Sequence, residues 1–178
     1  MSMFRLGISA VIASIGVSAL AAEPANLGTP VDPAELAALD FVVMPDGSGL
    51  PEGGGTVRAG AELYARQCLA CHGDEGENGI NDRLAGGIGS LTSERPVKTV
   101  GSYWPYATTV FDYIRRAMPY QEPGSLTASE VYSLTAYILY LNGIVAESAR
   151  LDAQSLPDIE MPNSDNFVWI YEEPAAEK

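Results

Sequence analysis

Cys68, Cys71 and His72 are the chain's only two cysteines and its only histidine, and they stand together as Cys68-Leu69-Ala70-Cys71-His72. C-x-x-C-H is the spacing that attaches c-type haem covalently. Two thiols one helical turn apart can add to the two vinyl groups on one porphyrin edge. The adjacent imidazole then meets the iron from the proximal side. Three other uses of cysteine compete with this one. A redox dithiol needs a βαβ setting, and no alternating or β-branched strand pattern surrounds these residues. Zinc needs a fourth ligand, and no other Cys or His exists to supply it. A plain disulfide leaves the lone histidine unexplained.

The sixth position on such an iron calls for another strong ligand, and a second histidine is impossible within this chain. Methionine remains. Met118 lies 46 residues after His72, at the end of a helical pattern, with Pro119 fixing the chain behind it. Met44 and Met161 are its rivals, and ordinary core packing is the commoner use of a methionine.

The elements that must position these residues follow from periodicity and punctuation. Thr56 to Gln67 reads as a helix delivering Cys68, with Thr56 as cap and Val57, Ala61, Tyr64 and Cys68 at helical steps. Gly60 lies four before Tyr64, where a bare backbone allows another helix close. His72 to Val100 reads as loop, rich in glycine, with a haem supplying the apolar surface it would otherwise lack. Tyr106 to Met118 shows Phe111, Ile114 and Met118 at helical steps between Trp104-Pro105 and Pro119. Thr127 to Asn142 is the clearest helix, opened by a Thr127/Glu130 capping box and stopped by Gly143.

Met1 to Ala21 has the form of a secretory signal: Arg5, an apolar run from Leu6 to Leu20, and a small-residue exit ending at Ala21. The run is too short for a membrane span. The division expected is 1–21 signal peptide, 22–55 irregular arm with a short helix near Pro33 to Leu39, 56–146 folded domain, and 147–178 acidic tail.

Ten basic and twenty-three acidic residues give a net charge of −13, which becomes −14 once Arg5 leaves with the signal. Nucleic acid is excluded as a partner by that balance. Residues 83–116 are the only positive segment, at +3. They run beside the expected haem edge, while the acidic arm and tail lie outside it. This pattern predicts a charge-steered contact at the edge, with arm and tail clasping a partner.

The stretch from Arg58 to Gly143 resembles a class I cytochrome c, with Gly60, Tyr64 and Tyr137 at positions where that family packs its terminal helices. The resemblance implies an all-α fold of three main helices around a covalently bound haem. That family often has a proline after the haem motif whose carbonyl holds the proximal imidazole. Asn81 to Gly86 stands there instead, so the resemblance assigns no carbonyl to His72. A nearer likeness rests on several blocks. They are Gly47 to Pro51, Leu84 to Leu91, Gly101 to Thr109, Asp112 to Pro119, and Met161-Pro162-Asn163. These are similar to the single-haem form of SoxD-type cytochrome subunits of sulfite and sulfur dehydrogenases. In that family a molybdenum subunit oxidises the sulfur compound and the cytochrome subunit removes the electrons.

The expected protein is thus a periplasmic cytochrome c with one covalent haem c. Cys68 and Cys71 form the thioethers, and His72 and Met118 are the axial ligands. Trp104 and Tyr106 are candidate propionate contacts, and Leu84, Leu91, Ile114 and Leu134 candidate pocket lining. Arg115 and Arg116 would pair with propionates or face a partner. The expected partners are a molybdenum-containing dehydrogenase subunit and a downstream cytochrome or oxidase. A free carrier serving another periplasmic dehydrogenase or a terminal oxidase shares every haem feature. A peroxidase-like enzyme fits poorly, because the chain has little acid–base equipment.

Overall fold

The computed structural model describes residues 28–168. The signal at 1–21 and the acidic end from residue 169 lie outside the described residues. Six α-helices, three single 3-10 turns and one small sheet make up the regular structure among the described residues: α1 (Pro33–Leu39), β1 (Gly54–Thr56), α2 (Val57–Gln67), α3 (Leu69–His72), α4 (Val100–Tyr103), α5 (Ala107–Ala117), α6 (Ala128–Leu141) and β2 (Arg150–Asp152), with the 3-10 turns at Asp74–Gly76, Ser90–Thr92 and Ser164–Asn166. The fold is mostly helical, as expected, with two short strands added.

Local chemistry sets each helix start. Asp32 accepts from the Ala34 N–H at 2.7 Å, with Pro33 at the first position of α1. Thr56 caps α2 through the Ala59 N–H. Thr127 and Glu130 close a reciprocal capping box on α6, and Thr99 and Ser102 close another on α4, directly after the loop expected over His72 to Val100.

The α2–α6 crossing is the main helix packing. It depends on Gly60: a Cβ there would stand 1.9 Å from the Ser133 carbonyl oxygen and 2.7 Å from the Tyr137 Cβ. Beside it, the Tyr64 and Tyr137 rings pack with centroids 5.3 Å apart. Phe111 of α5 meets Tyr132 of α6 at 4.4 Å, joining the third helix to the same core.

The packing does not stop at residue 146. Arg150–Asp152 pairs antiparallel with Gly54–Thr56, in the register Gly55 opposite Leu151. Leu151, Leu156 and Met161 are buried in the main core. The described part of the tail is therefore part of the domain, not an extension beyond it. The cause is non-local. A three-residue strand has no period to read, and its partner lies at the far end of the chain.

Candidate haem site

The haem motif is built by a break between two helices. The α2 helix ends at Cys68, whose backbone leaves helical geometry, and a second short turn, α3, carries Leu69 to His72. The His72 N–H bonds to the Cys68 carbonyl at 2.9 Å, so both ends of the motif share one turn. The following loop folds back tightly. The Asn81 N–H reaches the Cys71 carbonyl at 2.9 Å, and a Cβ on Gly79 would lie 2.2 Å from that same oxygen. The Tyr64 phenol donates to the Gly73 carbonyl at 2.9 Å from the α2 side. Burial, with smaller effects from Cys68 and Tyr137, pushes the Tyr64 phenol up to about 12.

His72 Nδ1 lies 2.9 Å from the Asp82 carbonyl oxygen. A carbonyl only accepts, so Nδ1 carries the proton and Nε2 keeps its lone pair. The imidazole is thereby oriented as a metal ligand requires. Asp82 takes the part that the resemblance gives to a proline carbonyl elsewhere in the family.

A cavity of about 620 Å³ opens beside this turn. Cys68, Cys71 and His72 line it, and so do Ile114 and Met118 at the end of α5 and Leu134 and Ile138 of α6. That volume lies within the range of cofactor sites. The cavity therefore fits a haem on the observations that matter: size, an apolar wall, two thiols, an oriented imidazole and a thioether. The two thiols are not joined to each other. Burial, then the neighbouring Cys71, pushes the Cys68 thiol up to about 11. An uncharged thioether sulfur suits the same half-buried place.

The other methionines lie elsewhere. Met161 is in the hydrophobic core and Met44 is exposed on the arm; neither lines the cavity. Trp104 lines it, in edge contact with Tyr113 at 5.7 Å. Tyr106 does not line it, because the backbone turns into α5 at that residue. Leu84 is in the wall, whereas Leu91 faces a separate cleft against Pro162 and Asn163. Arg116 pairs with Asp112, and Arg115 donates to the Phe41 carbonyl and lies over the Phe41 ring at 5.5 Å. Both arginines are engaged within the chain and neither lines the cavity.

Sequence reasoning missed three residues here. Arg83 and Lys98 line the cavity and are its two cations, matching in number the two carboxylates a haem carries. Their only signal was the positive segment they belong to. Asn142, read as a helix end, is 6% exposed and pins the cavity wall. Its Nδ2 donates to the Leu84 carbonyl at 3.0 Å, and its Oδ1 accepts from the Gly86 N–H at 3.2 Å.

Helices crossing at a bare glycine, with a C-x-x-C-H turn and a methionine around one apolar cavity, define a c-type cytochrome domain. Residues 55–138 match the family described as cytochrome c oxidase, cbb3-type, subunit III. A chain in the crystal structure of the sulfane dehydrogenase SoxCD from Paracoccus pantotrophus is 42% identical, with a TM-score of 0.76; the match covers 82% of this chain and 72% of that one. Thiosulfate dehydrogenases of Psychrobacter arcticus and Stutzerimonas stutzeri are 27% and 28% identical over 58% and 49% of this chain. The chain spans less than a third of the length of those two curated relatives, 32% and 28%. The chain belongs to the SoxD-like cytochromes c, electron-transfer domains related to sulfur dehydrogenase subunits, and its domain type implies haem c. No helix among the described residues is long and apolar enough to cross a membrane.

Proposed function

We propose that this is an exported, periplasmic cytochrome c with one covalently held haem. It serves as the electron-transfer subunit of a molybdenum-containing sulfite or sulfur dehydrogenase in sulfur-compound oxidation. The observation that carries this reading is the meeting of Cys68, Cys71, His72 and Met118 at one cavity, in a chain 42% identical to part of a sulfane dehydrogenase. When bound, the haem supplies one-electron Fe(II)/Fe(III) cycling and no bond forms to substrate.

The chain's own residues hold, orient and shield. Cys68 and Cys71 hold the group as thioethers. His72 ligates through Nε2 while the Asp82 carbonyl fixes its ring. Met118 ligates from the end of α5, and thioether sulfur favours the reduced iron. Arg83 and Lys98 pair with the carboxylates, and Trp104 adds its N–H. Val110, Ile114, Leu134 and Ile138 exclude water from the cavity's apolar wall. The electrons pass on to a downstream cytochrome or oxidase.

Two measurements test this. The first is the mass of the chain made with haem c maturation machinery: one haem, retained through acid and organic solvent, is expected. A bare polypeptide mass would refute covalent attachment. The second mixes the haem-loaded chain with the purified molybdenum dehydrogenase subunit of the same organism and its sulfur substrate. Stoichiometric haem reduction is expected, and an oxidised haem throughout would overturn the assignment.

A further inference from the structure

Among the described residues, the arm presents an uncovered apolar surface, fixed along α5 over residues 41–45. Residues 41–45 lie along α5, fastened by three side chains at helical steps of four and three. Thr108 Oγ1 donates to the Pro45 carbonyl at 3.4 Å, Asp112 Oδ1 accepts from the Val43 N–H at 3.2 Å, and Arg115 donates to the Phe41 carbonyl at 3.4 Å. Val43 is thereby buried, while Val42 and Met44 on either side of it are exposed. Upstream, α1 is properly capped by Asp32 and Pro33, yet Leu36 and Leu39 are 54% and 68% exposed. A seven-residue helix is marginal alone, and the exposed Leu36 and Leu39 give the core nothing. Six of the fifteen exposed large apolar side chains among the described residues fall within 31–44. That concentration marks a contact surface, not scattered exposure.

We propose that residues 31–44 are the element that docks this chain onto the dehydrogenase subunit, seated in an apolar groove rimmed by lysine or arginine. The inference rests on the function proposed above and names the surface that function uses. Charge selects the occupant. Asp32, Glu35 and Asp40 interleave with the apolar residues, and no basic residue occurs between 28 and 57. A second copy would bring the same acidic arm to a chain of net charge −13, whose Arg115 and Arg116 are already engaged internally. An anionic membrane surface is disfavoured by the same charges. The stretch from Leu151 to Met161 is not free to act as the clasp, because Leu151, Leu156 and Met161 fill the chain's own core. Geometry adds a consequence for electron transfer. The arm is fastened to α5, the helix that ends at Met118 on the cavity, and the half-exposed Tyr113 of α5 lines that cavity as well. A partner gripping the arm is held beside the cavity.

The test uses the full haem-loaded chain and the purified molybdenum-containing dehydrogenase subunit of the same organism. Leu36→Ser/Leu39→Ser should weaken binding at least about tenfold, since each burial lost is worth that much or more. Haem spectrum, potential and unfolding midpoint should not change. Glu35→Gln/Asp40→Asn should slow association and flatten its salt dependence. Equal affinity of the leucine variant and wild type would overturn the inference and leave the function standing. Float-up of wild type, but not the variant, with phosphatidylglycerol vesicles would overturn it in favour of a membrane. A photo-reactive residue at position 36 that crosslinks to a second copy of this chain would overturn it in favour of self-association. Absence of wild-type binding to the subunit would overturn the function and this inference together.

Discussion

Replacing Asn142 with Asp separates packing from hydrogen bonding, because the two side chains have nearly the same shape. Asn142 Oδ1 accepts from the Gly86 N–H, while Nδ2 donates to the carbonyls of Leu84 and Ile138 at 3.0 and 2.9 Å. An ionised carboxylate keeps the first bond and turns the other two into contacts between oxygen lone pairs. Each buried acceptor left without its donor costs about 1–3 kcal/mol, and burying the charge adds to this. The expected loss at pH 7.5 is therefore about 3–6 kcal/mol, a large share of the roughly 5–15 kcal/mol of an ordinary domain. The pH dependence has a definite sign. Burial and the facing carbonyls raise the introduced carboxyl's pKa in the folded state above its unfolded value. The folded state then keeps a proton that the unfolded chain has released. Stability relative to the natural protein must rise as pH falls from 7.5 towards 5, when the protonated group can donate to one carbonyl again. Urea unfolding of the haem-loaded chain, followed by far-ultraviolet circular dichroism at both pH values, reads this directly. A cost below about 1 kcal/mol at pH 7.5, or one that does not change with pH, would refute the pinning role assigned to Asn142.

Met118→Ala should remove the sulfur-to-iron absorption and admit cyanide. Met161→Ala should leave that absorption intact yet cost about 2–5 kcal/mol as a core truncation, and Met44→Ala should change neither. Loss of the absorption in either of the last two variants would sink the ligand assignment. Gly60→Ala forces α2 off the Ser133 carbonyl. An overpacking cost of about 1–3 kcal/mol or more and a lower yield of haem-loaded protein are expected, and a thermal scan with unchanged midpoint would contradict the crossing described. Burial is the first cause that pushes the Tyr64 and Tyr132 phenols up to about 12, and each donates to a carbonyl, of Gly73 and Pro51 respectively. Between about pH 10 and 12 the unfolded chain loses protons that the folded one keeps, so stability falls as pH rises through that window. Tyr64→Phe/Tyr132→Phe should flatten the fall; an equally steep alkaline loss would show that these phenols do not drive it.

The haem motif and the helices were legible because their signals are local. A C-x-x-C-H turn, a capping box at Thr127 and a bare Gly60 each declare themselves within a few residues. The bond that orients His72 is only ten residues long in sequence, yet it was illegible, because its acceptor is a backbone carbonyl and any residue type supplies one. The β1–β2 pairing and the burial of Leu156 and Met161 join the two ends of the domain, and no window on the sequence contains both partners. Charge also misled in one direction. Acidic composition placed the tail outside the folded domain as a clasp, and the described part of it instead packs Leu151, Leu156 and Met161 inward.

Charge counting located the cations correctly by segment but could not separate their uses. The segment 83–116 holds five basic residues, and the fold sends them to different tasks. Arg83 and Lys98 line the cavity, Arg115 fastens the arm, and Arg116 answers the buried Asp112. Helical geometry explains the division on α5. Thr108, Asp112 and Arg115 recur at steps of four and three and share the stripe that holds the arm. Val110, Ile114 and Met118 recur at steps of four on another stripe and line the cavity. One eleven-residue helix thus holds the candidate docking arm along one stripe and delivers the candidate axial ligand, Met118, at its C-terminal cap. The two functions are bound together by the rigidity of a single element. A substitution on the arm-facing stripe, Asp112→Ala for instance, frees the Val43 N–H and Arg116 at once. It should loosen the arm and weaken partner binding before it disturbs Met118. A loss of the sulfur-to-iron absorption in that variant, with partner affinity unchanged, would show that the two stripes do not divide the work in this way.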